Sequence, residues 1–349
     1  MRCVVTGGAG FIGSALCLRL LEGGAEVLVI DKLTYAANPV TVELLARHPK
    51  LTLVQHDITD FGAMEAAING FAPDIVFHLA AESHVDRSID AAGVFIQTNI
   101  VGTHSVLEAA RTYYESLSGP KADLFRFVHI STDEVYGSLG EDGLFTESTR
   151  FDPSSPYSAS KAGSDHLVNA WHRTYGLPTI VSNCSNNYGP RQFPEKLIPL
   201  MTLNALFGDA LPVYGAGENV RDWLHVEDHA AALELMALKG RVGETYNVGG
   251  NNELSNITMV REICSYMDEV NPQGAPHAEL IQFVTDRPGH DLRYAVDATK
   301  ISTELGWVPK KEARSGLRET IEWYLGNEQW WRPLRESVYS GQRLGRVNG

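Results

Sequence analysis

A chain of 349 residues, 44% hydrophobic and 21% charged, has the length for a large core or two domains and the composition of an ordinary globular protein. Its formal charge of −14, with no basic stripe, argues against nucleic acid as a partner, although a few local cations would still hold an anionic small ligand. No run approaches the roughly 20 apolar residues that a membrane span needs, so no membrane partner is expected. The cysteines Cys3, Cys17, Cys184 and Cys264 are scattered through apolar surroundings and fit neither a zinc site nor a disulfide framework. The start, MRCVVTGG, runs straight into a strand pattern. The expectation is therefore a cytoplasmic protein with no secretory signal and no metal.

In chain order, apolar runs at 3–6, 26–31, 51–57, 74–80, 125–132 and 179–183 predict strands. Helical periodicity falls between them at about 11–23, 60–69, 91–115 and 157–175. Near-continuous apolar strands separated by helices imply a parallel sheet covered on both faces, hence an α/β, doubly wound domain. After about residue 185 the rhythm breaks. Stretches rich in Asn, Gly and Pro (186–194, 215–219, 249–252 and 287–289) separate shorter elements, with helices expected at 196–207, 229–239, 257–270 and 315–325. This pattern predicts a first domain over 1–185, to which parts of about 210–250 return, and a smaller, discontinuous C-terminal lobe over 186–349. The tail from Glu328, with Trp330 and Trp331, shows no pattern beyond packing.

The segment VTGGAGFIG follows the first strand and opens the first helix. Gly7, Gly10 and Gly13 are spaced GxxGxxG, and Gly8, Gly10 and Gly13 also satisfy GxGxxG. Side chains must be absent where backbone turns tightly, approaches a pyrophosphate and packs on the sheet, and a helix N-terminus offers free N–H groups to phosphate. Alone the motif is weak; inside a strand–turn–helix unit it points to a dinucleotide site of the Rossmann type. Asp31 ends the second strand, 18 residues past Gly13, where a carboxylate accepts from both ribose hydroxyls and repels a 2′-phosphate. NAD is thus favoured over NADP, with Lys32 beside Asp31 pulling slightly the other way. For Asp57 two readings stand open, an adenine border and a helix cap. The fourth strand runs into LAAESHVDRS, whose small residues leave room for a ligand at a strand end, with Ser83 and His84 facing it.

The segment ISTDEVYG places Asp133 and Glu134 at the mouth of the buried fifth strand. Most acidic pairs belong to solvated turns. Here SSPYSASK follows, with Tyr157 and Lys161 at i, i+4 on one helical face, where a cation favours the ionised phenol and so a general base for an alcohol. Neighbours in a regular strand point to opposite faces, so Asp133 and Glu134 reach one ligand only if the strand ends at Thr132 and the backbone turns.

The order of TGGAGFIG, DKLTYA, LAAESHVDRS, STDEVYG, YSASK, NCSNNYGP, FPEKLIP, RDWLHVEDH and RPGHD, spread from residue 1 to about 325, resembles the extended short-chain dehydrogenase/reductases. Within them it is similar to the dTDP-glucose 4,6-dehydratases, and the triplet Thr132-Asp133-Glu134 is the sharpest element. The resemblance implies oxidation of dTDP-glucose at C4, loss of water across C5 and C6, and return of hydride to C6, with NAD regenerated. It gives Tyr157, with Lys161, the C4 hydroxyl proton, Glu134 the C5 proton, Asp133 the protonation of the departing C6 hydroxyl, and Thr132 the C4 oxygen. It places cofactor contacts at Gly7, Gly10, Phe11, Ile12, Gly13, Asp31, Lys32, Thr34, Asp57, Ile58, Leu79, Ala80, Ala81, Ser83, Thr98, Tyr157, Lys161 and Asn187. Substrate contacts fall at Ser83, Thr132, Asn186, Lys196, Leu197, Pro212, Tyr214, Arg221, Asn256, Arg287 and His290. It also implies a homodimer joined by a four-helix bundle of 91–115 and 157–175. Two departures are visible, Ala37 where many relatives carry Gly, and Arg191-Gln192 at a variable place. Another nucleotide-sugar 4-epimerase, decarboxylase or dehydratase of the same fold, or a non-catalytic dinucleotide-binding regulator, is the competing expectation; Asp133 has no use in the first two.

Overall fold

A computed structural model of the protein describes residues 1–286 and 289–339, so the expected substrate contact Arg287 lies outside the described residues. The strands are β1 (Arg2–Thr6), β2 (Glu26–Asp31), β3 (Leu51–Gln55), β4 (Ile75–His78), β5 (Arg126–Thr132), β6 (Thr179–Cys184), β7 (Asn186–Tyr188), β8 (Leu211–Tyr214), β9 (Val220–His225), β10 (Thr245–Val248), β11 (Glu253–Ser255) and β12 (Ile281–Val284). Seven of them form one parallel sheet in the order β3-β2-β1-β4-β5-β6-β10. The order reverses between β1 and β4, and open α/β sheets bind ligands at such a switch point. Strand β10, late in the chain, closes the sheet beside β6. A three-stranded sheet, β11-β9-β7, and a parallel pair, β8 with β12, make up the remaining strands.

The strands are apolar along their length because both faces of the sheet are covered. In β1, Cys3 and Val5 pack with Leu16, Leu20, Val29 and Phe77 on one side, beneath the helices Phe11–Glu22 and Val226–Lys239. Val4 points the other way, to Leu28, Met64, Val76 and Phe127 under the helices Phe61–Phe71 and Thr103–Glu115. Each such side chain, once buried, stabilises the fold by roughly 1.5–3 kcal/mol. A further apolar cluster, built on Met201, Val213, Val260, Ile263 and Ile321, holds the later helices Leu197–Phe207, Asn256–Val270 and Ala313–Gly326 together.

Four places depart from the sequence pattern, each for a local reason. Strand β3 stops at Gln55, and Asp57 turns its carboxylate onto the N–H and hydroxyl of Thr59, both at 2.9 Å. Asp60 is the residue that caps the next helix, accepting from Ala63 N. The stretch 91–115 is not one α-helix, because a π-helical segment, Ile96–Gly102, interrupts it. Within it Asn99 reaches back to the backbone of Glu82, and Gly102 lies where a Cβ would sit 2.5 Å from the Ile58 side chain. A helix over Pro39–Ala46, capped by Asn38, has too short an apolar stripe for periodicity to reveal. The tail forms a helix, Glu328–Ser337, anchored by Trp330 Nε1 donating to Thr41 Oγ1 (2.8 Å) and Asn38 Nδ2 donating to Trp330 O (2.6 Å).

The first βα turn depends on absent side chains. A Cβ on Gly13 would lie 2.2 Å from Gly7 O and 2.8 Å from Gly8 Cα, so backbone must move to admit it. Gly13→Ala is expected to lower the unfolding free energy by about 1–3 kcal/mol through overpacking, read as a lower urea midpoint. A midpoint equal to that of the unchanged chain would show that the turn tolerates the methyl group.

Candidate active site

A cavity of about 310 Å³ crosses the carboxyl ends of the central strands. Its floor at the first turn is glycine backbone. Gly7 has φ +70°, and a Cβ there would sit 2.7 Å from Ala80 N, at the end of β4. Gly10 precedes the helix Phe11–Glu22 with no side-chain cap, which leaves the N-terminal N–H groups facing the cavity for an anion. Asp31 is fixed at the end of β2 by Ala9 N donating to Oδ2 (3.0 Å) and Leu33 N donating to Oδ1 (2.8 Å). Burial pushes its pKa upward and these amide bonds oppose that push. Lys32 Nζ lies 3.1 Å from Glu82 Oε1, so its charge is partly spent within the protein.

The end of the cavity that holds the expected reactive residues is built by β5 and the helix Pro156–Tyr175. Strand β5 ends at Thr132, and a single 3₁₀ turn, Asp133–Tyr136, follows at once. Thr132 caps that turn, its hydroxyl accepting from Glu134 N at 3.3 Å. The turn breaks the alternation of the strand, so Thr132, Asp133 and Glu134 all line the cavity with Tyr157 and Lys161. The opposing helix starts with a capping box, in which Ser155 and Ser158 bind each other's backbone N–H, and Pro156 is its first residue. Its first turn is therefore held firmly, and Tyr157 sits there, with its ring edge-on to Phe95. Lys161 Nζ donates to Ile130 O at 2.8 Å.

Most of the sequence-expected residues meet in this one cavity. Gly7, Gly10, Phe11, Ile12, Gly13, Asp31, Lys32, Thr34, Ile58, Leu79, Ala80, Ala81, Ser83, Thr98, Asn186, Asn187 and Lys196 line it together with the reactive set. Thr98 arrives there from the π-helical segment. Asp57, Leu197, Pro212, Tyr214, Arg221, Asn256 and His290 do not line it. Arg221 is buried, donating to the carbonyls of Val220 and Asp291 and stacked over Tyr294 at 4.2 Å. Tyr214 donates to Asp86 Oδ2 at 3.3 Å, and His290 Nδ1 lies 2.6 Å from Asp286 Oδ1. Asn256 opens its helix, but the cap is Ser255, which accepts from Thr258 N.

Sequence reasoning missed several lining residues: Tyr35, His56, Glu82, Ser131, Cys184, Gln192, Phe193 and Glu195. Tyr35 and Glu195 carried a readable signal, since each stands beside a quoted motif residue. Glu195 is nearly enclosed, taking Arg87 Nη2 at 3.1 Å and Tyr35 OH at 3.3 Å. Arg191, noted as a departure, lines the cavity with φ +70° and a half-buried guanidinium.

A family model described as GDP-mannose 4,6 dehydratase matches residues 4–320. A probable dTDP-glucose 4,6-dehydratase of Sinorhizobium fredii is 58% identical, with 99% of each chain covered. The dTDP-glucose 4,6-dehydratase of Neisseria meningitidis serogroup B is 56% identical, again over 99% of both chains. The chain belongs to the dTDP-glucose 4,6-dehydratase family. The family's enzyme from Streptomyces venezuelae, solved with NAD bound, superposes with a TM-score of 0.88 at 46% identity, covering 96% of this chain and 100% of that one.

In this member of the dTDP-glucose 4,6-dehydratase family the two adjacent carboxylates are not equivalent. Asp133 is 1% exposed, and its Oδ2 has no hydrogen-bond partner among the described residues. Burial pushes its pKa well above the usual carboxylate range; the charges of Glu134 and Asp222 add to this, and Arg221 works against them. Its surroundings thus favour the neutral acid over the carboxylate. Tyr157 is pushed upward too, by burial first and by Glu134 second, while the Thr132 hydroxyl opposes.

A carboxyl with a raised folded pKa binds its proton in the native state where the unfolded chain has already released it. Stability is then lost as pH rises from the unfolded value through the folded one. Asp133→Asn has no proton to lose there. Its unfolding free energy is expected to gain on that of the unchanged chain as pH rises from the ordinary carboxylate range upward, by about 1.4 kcal/mol for each pH step of one until the folded acid ionises. Urea unfolding at a series of pH values measures the gap, and a gap that is flat with pH would contradict a neutral Asp133.

Proposed function

We propose that the protein converts dTDP-glucose to dTDP-4-keto-6-deoxyglucose, with NAD as its resident cofactor. One observation carries this reading: the turn after Thr132 sets a buried acid and its neighbour Glu134 in the same cavity as Tyr157 and Lys161. The residues present fit NAD. Gly7 and Gly13 leave no room for side chains at the pyrophosphate turn, and Asp31 stands at the end of β2 for the ribose hydroxyls. Gly10, Phe11, Ile12, Lys32, Thr34, Ile58, Leu79, Ala80, Ala81, Ser83, Thr98 and Asn187 complete the binding surface, with Asp57 just outside it. When bound, NAD takes up the C4 hydride and later gives it to C6.

The protein's own groups move the protons. Tyr157 takes the C4 hydroxyl proton while Thr132 holds that oxygen, the Lys161 ammonium on the same helical face favouring the phenolate against the upward push of burial and Glu134. The ketone so formed acidifies C5–H, and Glu134 takes that proton. Asp133, neutral in its dry position, gives its proton to the C6 hydroxyl, which leaves as water. The proton taken at C5 is returned when hydride reaches C6, which restores Glu134. The proton that Tyr157 took from the C4 hydroxyl replaces, by way of solvent, the one that Asp133 gave to the leaving water. All three groups thus end in their starting forms. Two like groups in one pocket perform opposite tasks, the buried Asp133 as acid and its neighbour Glu134 as base.

The sugar end of the substrate rests on Asn186 and Lys196. Asn186 Oδ1 has no partner among the described residues, which suits a hydroxyl donor. The family resemblance supports Leu197, Pro212, Tyr214, Arg221, Asn256, Arg287 and His290 as the outer nucleotide contacts. It also supports the division into a cofactor domain over 1–185 with a returning part from 210–250, and a nucleotide-sugar lobe over 186–349. A cytoplasmic homodimer, feeding rhamnose or another deoxysugar, completes the reading. Val94, Ile96 and Val101 of the interrupted helix and Tyr175 at the end of its neighbour are large exposed apolar residues, as a bundle between two copies requires.

Incubation with dTDP-glucose carrying deuterium at C4 tests the reaction directly by mass spectrometry. The expected product has lost one water and carries the label at C6. An unchanged mass with inversion at C4 would indicate an epimerase, and no turnover of any nucleotide hexose would sink the enzymatic reading. Tyr157→Phe is expected to slow formation of that product by about 10²–10⁴-fold. Glu134→Gln should retain C4 oxidation, seen as nicotinamide reduction, and fail at water loss.

A further inference from the structure

Behind Lys161, one helical turn further along, lies a carboxylate that this chemistry does not use. Asp165 is 0% exposed and does not line the cavity. Its Oδ2 accepts from Ser131 Oγ at 2.8 Å and from Asn183 Nδ2 at 3.2 Å. The same Asn183 amide donates to Thr132 O at 3.1 Å. The carboxylate therefore joins β5, β6 and the helix Pro156–Tyr175 at the level of the reactive residues.

An ionised carboxylate so deep requires a cation or it would be held neutral. Two buried basic side chains stand on the elements it joins, His129 on β5 and Lys161 on the helix. His129 Nε2 lies 3.1 Å from Asp165 Oδ1, but without hydrogen-bond geometry, since Oδ1 has no hydrogen-bond partner among the described residues. Burial, with the Lys161 charge second, drives the His129 pKa well below its ordinary value, so the ring is neutral. His78, stacked on it at 5.3 Å and bonded to Thr6 and Thr103, is depressed likewise. That leaves Lys161, four residues from Asp165 on the same face. Lys161 acts on it through space and not as a direct ion pair, since its Nζ donates to Ile130 O.

We propose that Asp165 is a positioning residue for proton transfer at Tyr157: it is the buried counter-charge of Lys161 and, through Ser131 and Asn183, braces the Thr132 end of β5 against the catalytic helix. The inference rests on the dehydratase reading for its consequence in turnover, but not for its electrostatics. Burial lowers the Lys161 pKa, and Asp165 is the largest influence holding it up, ahead of the Cys184 thiol. Asp165 itself is raised to about 6 by burial, with Lys161 and the Ser131 and Asn183 bonds acting against that. The other titratable groups facing the pair are Tyr157 and His166 on its own helix, Cys184 on β6 and Tyr136 from the turn. Burial pushes the Cys184 and Tyr136 values far upward, and neither carries charge near neutrality.

Asp165→Asn keeps the shape and removes the charge, while Ser131→Ala keeps the charge and removes one donor. In the purified full chain without substrate, Lys161 protonation is read by pH-dependent acetylation followed by peptide mass spectrometry. The labelling midpoint of Lys161 is expected to fall by roughly one pH unit in Asp165→Asn and by less in Ser131→Ala. Turnover of dTDP-glucose should drop about tenfold or more, with its alkaline limb moved to lower pH in step. An unchanged midpoint in folded Asp165→Asn, whatever its activity, overturns the proposal. If that variant does not fold, an unchanged midpoint in Ser131→Ala overturns it. Because the label reads Lys161 without substrate, a wild-type chain that fails to turn over dTDP-glucose would refute the dehydratase reading and leave this one to its own midpoint.

Discussion

The proposed chemistry depends on where one strand stops. In an extended strand, adjacent side chains point to opposite faces, and no choice of residues would bring two neighbouring carboxylates to one ligand. Strand β5 ends at Thr132, whose hydroxyl caps a single 3₁₀ turn, and Asp133 and Glu134 both come to line one cavity. The turn is buried as well as tight. Gly137, at φ +90°, closes it where a Cβ would lie 2.5 Å from Asp152 O, so the chain has little freedom to turn any other way.

The rest of the fold supplies what that turn needs. The parallel sheet carries β5 into the interior, separated from β1 by β4 across the switch point, so that its end and the glycine turn after β1 line the same cavity. The capped helix opposite holds Tyr157 and Lys161 at that same level. Low exposure then makes chemistry out of position, because a carboxylate in a dry pocket next to another one keeps its proton. Arg221, whose resemblance-based role is at the nucleotide, acts on Asp133 from the side and limits how far this goes.

The fold was legible because its signals are periodic. Continuous apolar strands and intervening helices reproduce β1 to β6 within a few residues, and VTGGAGFIG marks the turn that only glycine permits. What escaped reading is non-periodic. The π-helical segment is set by Asn99 reaching Glu82 and by Gly102 against Ile58, contacts across long sequence separations. The helix at Glu328–Ser337 takes its stability from Trp330 on Thr41 and Asn38, nearly three hundred residues away. In the site, Thr132, Asp133, Glu134, Tyr157 and Lys161, which line one cavity, stood in motifs and could be named. Asp165 could not, since a buried carboxylate and a surface one look alike until their donors are known, whereas Tyr35 and Glu195 stand within quoted motifs and carried a readable signal.

The central claim is that one buried turn makes Asp133 a neutral acid beside Glu134. Infrared difference spectroscopy between the unchanged chain and Asp133→Asn at neutral pH measures this directly. The account predicts that the substitution removes a protonated-carboxyl C=O stretch. Loss of carboxylate bands alone, with no protonated-acid band removed, would contradict it.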